Sequence, residues 1–184
     1  MKQPTQQQID ELKTKHGELF KIEMGNEWVI ITNPLARMSV MRQAVAALQS
    51  GGMTSYTEAI INNCYVAGDQ ALLKNEAFLN GIEEQITEIA TAPDPEVTPR
   101  GVDYEVTAGE HRIVCRAPTR ADRKAAHKAN PKRQPFVTNE KMLEYIARDK
   151  ATLTALKRDV PAYIAVLSAI DDLREKKAVH YSKL

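Results

Sequence analysis

Cysteine and histidine are the residues of this sequence best suited to chemistry, and neither is arranged as a reactive or metal-binding site. Cys64 and Cys115 lie far apart, without the CxxC or Cys/His spacing of a zinc site or a redox pair. We therefore expect two free, buried thiols. The histidines are isolated along the chain: His16, His111, His127 and His180. We interpret them as surface residues, so the sequence predicts no metal site.

Motifs for covalent catalysis and nucleotide binding do not occur in the sequence either. No serine lies in a Gly-x-Ser-x-Gly elbow. The glycines form neither a G-x-G-x-x-G fingerprint nor a Walker loop. The sequence thus predicts a protein that is not an enzyme, has no catalytic residues and uses no cofactor.

A basic stretch between His111 and Arg133 is the main electrostatic feature of the sequence. Its eight cationic residues are Arg112, Arg116, Arg120, Arg123, Lys124, Lys128, Lys132 and Arg133. Such a charge density suits an acidic protein surface or nucleic-acid phosphates, but no aromatic residue lies among them to stack on bases. Three interpretations stay open: an acidic partner or the chain's own acidic half, nucleic acid, and a solvated face.

Length and composition indicate a folded protein. The 184 residues are 43% hydrophobic and 27% charged, enough for one ordinary domain or two small ones with buried cores. No apolar run is long enough to cross a membrane, and the first residues are polar. We expect a soluble, intracellular protein without membrane contact.

The charge distribution and the prolines divide the chain in two. Residues 1–100 contain 8 Lys and Arg against 13 Asp and Glu, whereas residues 101–184 contain 17 against 11. Between these halves, Pro93, Pro95 and Pro99 favour an extended connector. The sequence predicts an N-terminal module over 1–90, a Pro-rich linker over 91–100 and a related C-terminal module over 101–184.

The elements that would position any site recur in the same order in both halves. In the first half we expect a helix over 5–15, a hairpin over 19–32 turning at Gly25-Asn26, and helices over 36–48, 54–73 and 76–89. In the second half we expect strands over 102–106 and 111–115, a helix over 119–128 and two helices ending near Lys177.

A single constant offset in residue number relates the two halves. It places Gly25 on Gly109 and Pro34 on Pro118, together with the apolar positions of the helices. We interpret this as a tandem duplication, the alternative being two unrelated segments. The predicted fold class is α+β, with two similar modules, each a β-hairpin packed on about three helices.

Several segments of the first module together resemble a known family. They are Ile9–Gly17, Leu19–Glu23, Pro34 with Arg37, Asn63–Asp69 and Ala77–Leu79. Over residues 5–90 the chain resembles small tail-assembly-chaperone-like proteins of phages and prophages, especially those of Bacteroides-type bacteria. In this chain Asn33-Pro34-Leu-Ala-Arg37 replaces the Lys-Pro-x-Arg turn of that group, and the second module is additional.

The resemblance implies a non-enzymatic factor of phage tail morphogenesis that binds other phage structural or tail proteins. It implies action in the host cytoplasm or in the virion, with self-association left open. We assign partner binding to the eight basic residues. Two alternatives remain: a virion structural component such as a connector, tail or capsid-associated protein, and a nucleic-acid-binding phage accessory protein.

Overall fold

The computed structural model describes residues 3–173, which fall into two compact units divided between Ala92 and Pro93. In the described residues each unit has one three-stranded antiparallel sheet and four α-helices, so the predicted α+β class with two modules is confirmed. None of the described helices is both long and apolar enough to cross a bilayer. The predicted helix end near Lys177 lies outside the described residues.

The first unit contains a hairpin, a third strand and four helices. Its elements are α1 (Gln6–His16), β1 (Leu19–Met24), β2 (Glu27–Thr32), α2 (Met38–Cys64), β3 (Tyr65–Gly68), α3 (Glu76–Gly81) and α4 (Glu83–Ile89). Turns of 3₁₀ helix lie at Pro34–Ala36 and Gln70–Lys74. The helix α1 begins where Thr5 and Gln8 form a capping box and ends at Gly17.

The central strand of this sheet is β2, and it is buried on both faces. Trp28, Val29, Ile30 and Ile31 are each at most 5% exposed. Gly25 takes the first place of the two-residue turn with φ 63°, a left-handed conformation that glycine adopts without steric cost. The predicted hairpin is therefore present, with β2 as the core of the unit.

Two predicted helices of the first unit differ in the structure. The one expected over 54–73 ends at Cys64, and the chain continues as β3, which pairs with β2 through Tyr65 and Gly68. The one expected over 76–89 divides into α3 and α4 at Ile82. The predicted break near residues 50–52 is present, because Gly52 has a non-helical φ of 76° within α2.

The second unit has its third strand before the hairpin, where the first unit has it after α2. Its elements are β4 (Glu96–Arg100), β5 (Asp103–Ala108), β6 (His111–Arg116), α5 (Arg120–Ala129), α6 (Val137–Ile146), α7 (Lys150–Leu156) and α8 (Val160–Ala169). A 3₁₀ turn follows at Ile170–Asp172. The strands β5 and β6 begin and end at the positions to which the sequence offset carries β1 and β2. The offset that places Gly25 on Gly109 therefore relates the two hairpins residue by residue.

The second unit also departs from the predicted two-stranded hairpin. Residues 96–100, assigned to the linker from their prolines, form β4 and pair with β5. Pro99 lies opposite Tyr104, next to the pair Arg100–Asp103 that closes a two-residue turn. Because closing pairs are hydrogen-bonded and pairs alternate, the Pro99 nitrogen faces away from β5, where no donor is needed.

Candidate functional site

Helix α5 presents three cationic side chains on one exposed side. Arg120, Lys124 and Lys128 follow the i, i+4, i+8 spacing that aligns residues along a helix, and all three are exposed. Ala126, fully buried, holds another side of the helix against the unit. In the described part of the chain none of the three forms an ion pair. We call these three residues the α5 basic face.

The first turn of α5 is fixed by a capping box and by Arg116. Thr119 accepts a hydrogen bond from the Asp122 N–H, and Asp122 accepts one from the Thr119 N–H. Arg116, at the end of β6, donates to both Asp122 carboxylate oxygens and to the Tyr145 carbonyl. The Arg116 guanidinium is the main cause that holds the Asp122 pKa well below its usual range. Arg116 therefore positions α5, a role that was not predicted for it; its partner binding stays a prediction.

The other predicted basic residues are not part of the α5 basic face. Arg112 is exposed on β6, and Arg123 is half-buried on α5. Lys132 and Arg133 are exposed in the turn after α5. That turn is held by the buried Asn130, whose side chain donates to the Gln134 carbonyl and accepts from its N–H.

Both cysteines are free and buried, as predicted. Burial raises the pKa of the Cys115 thiol to about 12 and also raises the pKa of Cys64. A thiol with a raised pKa is a poor nucleophile near neutral pH, because only the thiolate reacts. The two residues contribute to the cores of their units.

The histidines show one departure from the prediction. His16 and His127 are exposed, but His111 is half-buried and its Nε2 lies 3.1 Å from Asp159 Oδ2. Asp159 also caps α8 by accepting from the Ala162 N–H, so the pair joins β6 to α8. His180 lies outside the described residues. Within residues 3–173, no group of three or more His, Cys, Asp or Glu could hold a metal ion.

Segments that carry the family resemblance meet in the first unit. Lys15 and His16, Arg37, and the chain from Asn63 to Val66 line a cleft of about 450 Å³. Arg37 Nη2 donates to the Asn63 carbonyl at 2.7 Å and lies 3.9 Å from Cys64 Sγ. The cleft thus combines two cationic side chains with a histidine, an arrangement that suits an acidic group.

Gly68 and Asp69, at the end of the segment Asn63–Asp69, fix β3 in the sheet. Gly68 has φ 118°, and a Cβ there would lie 2.4 Å from the Trp28 carbonyl oxygen. The Tyr65 hydroxyl donates to the Gly68 carbonyl at 2.8 Å, and Asp69 caps the next turn by accepting from the Ala71 N–H. This role of Gly68 was not predicted, although the Gly68-Asp69 pair is a turn signal in the sequence.

Comparison of the chain with family models, with curated proteins and with solved structures gave no match.

Proposed function

We propose that this chain is a non-enzymatic factor of phage tail morphogenesis, similar to tail-assembly chaperones, that binds tail proteins through the α5 basic face. The part in tail morphogenesis rests on the resemblance over residues 5–90, and the observation that carries the binding surface is the row formed by Arg120, Lys124 and Lys128. It is exposed, and within the described residues it has no ion pair. Like charges at this spacing repel one another, and a complementary acidic surface would relieve that repulsion.

The basic stretch favours a protein partner over nucleic acid, because no aromatic residue lies between Tyr104 and Phe136 to stack on bases. Eight residues of helix separate Arg120 from Lys128, a distance of roughly 12 Å at 1.5 Å per residue. Carboxylates spaced along one helix or strand of an acidic protein can match this row. Because Arg116 and the capping box fix the start of α5, the cations are held in place before the partner arrives.

The cleft of the first unit provides a second set of cationic side chains, those of Lys15 and Arg37. Residues from separate segments of the family resemblance line it, and Arg37 links two of those segments by its contacts with Asn63 and Cys64. Tyr65, which also lines the cleft, pairs with Ile31 of β2.

Affinity purification from prophage-induced cells tests the proposal. The full chain is expected to retain tail proteins, identified by mass spectrometry. The variant Arg120→Glu/Lys124→Glu/Lys128→Glu is expected to remain folded by circular dichroism and to lose them. A matched control, Lys13→Glu/Lys74→Glu/Arg158→Glu, makes the same change in net charge at exposed positions outside the basic stretch and should retain them.

Four outcomes would contradict the proposal. Tail proteins retained by the folded α5 variant would remove the basic face from binding, and equal loss in the control would reduce the effect to net charge. Tight DNA or RNA binding that weakens steeply with salt would instead favour the nucleic-acid alternative, with a slope of about −0.9 per phosphate contact. A fixed copy number in purified particles would indicate a virion component rather than a chaperone.

A further inference from the structure

The two sheets differ in how their edges are protected against further pairing. In the described residues, β3 is a four-residue edge strand with a register shift where it meets β2. The edge of β4 carries Pro99, and β6 is bridged by Ala147 through Cys115. Short strands, irregular pairing, prolines and coverage are ways in which proteins block edge pairing. The remaining edge, β1, is six residues long and contains neither proline nor an irregular pair.

The backbone of β1 is oriented to accept another strand. Met24 and Glu27 close the two-residue turn and therefore form a hydrogen-bonded pair. Since successive residues alternate, Ile22 and Phe20 also bond to β2, whereas the N–H and C=O groups of Lys21 and Glu23 point outward. No backbone hydrogen bond from another described element reaches them.

In the second unit, the edge that corresponds to the outer edge of β1 is covered by another strand. Under the offset that relates the two hairpins, β1 corresponds to β5, and β5 is covered by β4. Val97 of β4 lies opposite Val106, which corresponds to Ile22. In the first unit a groove of about 490 Å³ runs beside β1, lined by Phe20, Ile22 and α4 residues that include Ile89. The site is thus a strand position that one unit fills and the other leaves open.

We propose that β1 pairs with β1 of a second copy of this chain, antiparallel about a two-fold axis at Ile22, to form a continuous six-stranded sheet. The charges of Lys21 and Glu23 indicate that the added strand comes from a second copy. In this register Lys21 of each copy lies directly opposite Glu23 of the other, in hydrogen-bonded pairs. Within one copy these two side chains already form an ion pair at 2.6 Å, so the dimer contains four alternating charges. Both side chains also bond to the Gln3 side chain.

Alternative registers of the same pairing are disfavoured. The outward backbone groups allow only shifts that move the two-fold axis by one residue at a time. Moving it to Lys21 places two lysines opposite each other, and moving it to Glu23 places two glutamates opposite each other. Like charges in directly opposed positions destabilise a sheet. Moving the axis further, to Phe20, places Lys21 opposite Leu19 and leaves Glu23 without a partner in β1, so only the axis at Ile22 sets both charges against opposite charges.

The apolar side chains fit the same register. Ile22 meets Ile22 of the second copy, and Phe20 meets Met24. These are the positions that Val97 and Pro99 of β4 occupy against Val106 and Tyr104 in the second unit. The second copy therefore places apolar residues where β4 places them.

Sedimentation of the full chain over a wide concentration range tests the proposal. The wild-type chain is expected to form a dimer. Lys21→Glu and Glu23→Lys should each raise the dissociation constant by about tenfold or more, because each creates opposed like charges. The double variant Lys21→Glu/Glu23→Lys restores opposite charges and should dimerise like wild type. Lys74→Glu, the same charge change at an exposed site outside the sheet, should have no effect.

Hydrogen exchange supplies a second readout. The amides of Lys21 and Glu23 are expected to become protected as concentration rises and the dimer forms. A chain that stays monomeric, or a dimer insensitive to both single reversals, would overturn the proposal. Protection of these amides only when a purified tail protein is added would assign the edge to a partner strand and overturn the second-copy assignment. Neither result depends on the α5 basic face.

Discussion

Arg116 and Asp122 are joined by two hydrogen bonds, of 2.6 and 2.8 Å, between the end of β6 and the first turn of α5. Asp122 also accepts from the Thr119 N–H and hydroxyl. The Asp122 carboxylate therefore connects the end of β6 to the start of α5, and these hydrogen bonds stabilise its ionised form.

Asp122→Asn is expected to lower the free energy of unfolding by about 2 kcal/mol at neutral pH, because it removes charge-assisted hydrogen bonds. The pKa of Asp122 is lower in the folded chain than in the unfolded chain. Its contribution is thus fully present above the unfolded pKa and is lost as pH falls through the folded pKa. Urea unfolding at pH 7 and pH 3 should show the variant closer to wild type at pH 3. Asp94→Asn, at an exposed carboxylate, should differ little from wild type at either pH.

Gly68 should tolerate no side chain. In Gly68→Ala the new Cβ would meet the Trp28 carbonyl oxygen at 2.4 Å and Val29 Cα at 2.8 Å, with φ at 118°. We expect a loss of about 3 kcal/mol or more in the free energy of unfolding, since backbone atoms of the central strand would have to move. Chemical denaturation measures it.

Gly25→Ala is the matched control for Gly68. Gly25 also has a positive φ, 63°, but a Cβ there has no neighbour within 4 Å. Only the cost of the left-handed backbone remains, about 1 kcal/mol. Equal losses in the two variants would show that contact with Trp28 is not what requires glycine at position 68.

Charge reversal on α5 should change stability in opposite directions at the two ends of the helix. Arg120 occupies the first position and Lys128 the last turn. Arg120→Glu places a negative charge at the positive end of the helix dipole and should stabilise the chain by about 0.3–1 kcal/mol, whereas Lys128→Glu should destabilise it by a similar amount. Urea unfolding at low salt measures both effects, and high salt should reduce them. The same sign for both variants would contradict this account.

The hairpins could be predicted because their signals are local. Short apolar strands flank glycine turns at Gly25 and Gly109, and the structure places strands on both sides of each turn. The third strand of the first unit could not be predicted in this way. Tyr65–Gly68 directly follows an apolar helix, and its strand partner lies far earlier in the chain, in β2. Pairing over that distance depends on tertiary packing, not on local propensity.

The prolines between the two halves led to a different error, because a linker was predicted where the structure has a strand. They indicated a linker over 91–100, but Pro99 is compatible with an edge strand in a position where its nitrogen faces away from the sheet.

The left-handed backbone at Phe136 has no local signal in the sequence. It adopts a left-handed φ of 65° at the position that the offset between the halves pairs with Gly52, whose φ is 76°.

The composition of the basic stretch predicted its charge, but it did not predict which of its residues position α5 and which are exposed on it. Arg116 is one of eight cations in the basic stretch, and only the packing of α5 against the end of β6 brings it to Asp122. Arg120, Lys124 and Lys128 followed more directly from their helical spacing, and they are exposed together. The pairing of Arg116 with Asp122 therefore required the structure.

Pro99 has a consequence for how far an assembly could grow. A strand added to the outer edge of β4 would meet a residue without an N–H, so this sheet offers no continuous template for polymerisation. Pairing through β1 is symmetric and uses the same edge of both copies, which leaves no second copy of that edge exposed. Edge pairing in this protein would close at two copies and would not propagate into a fibre.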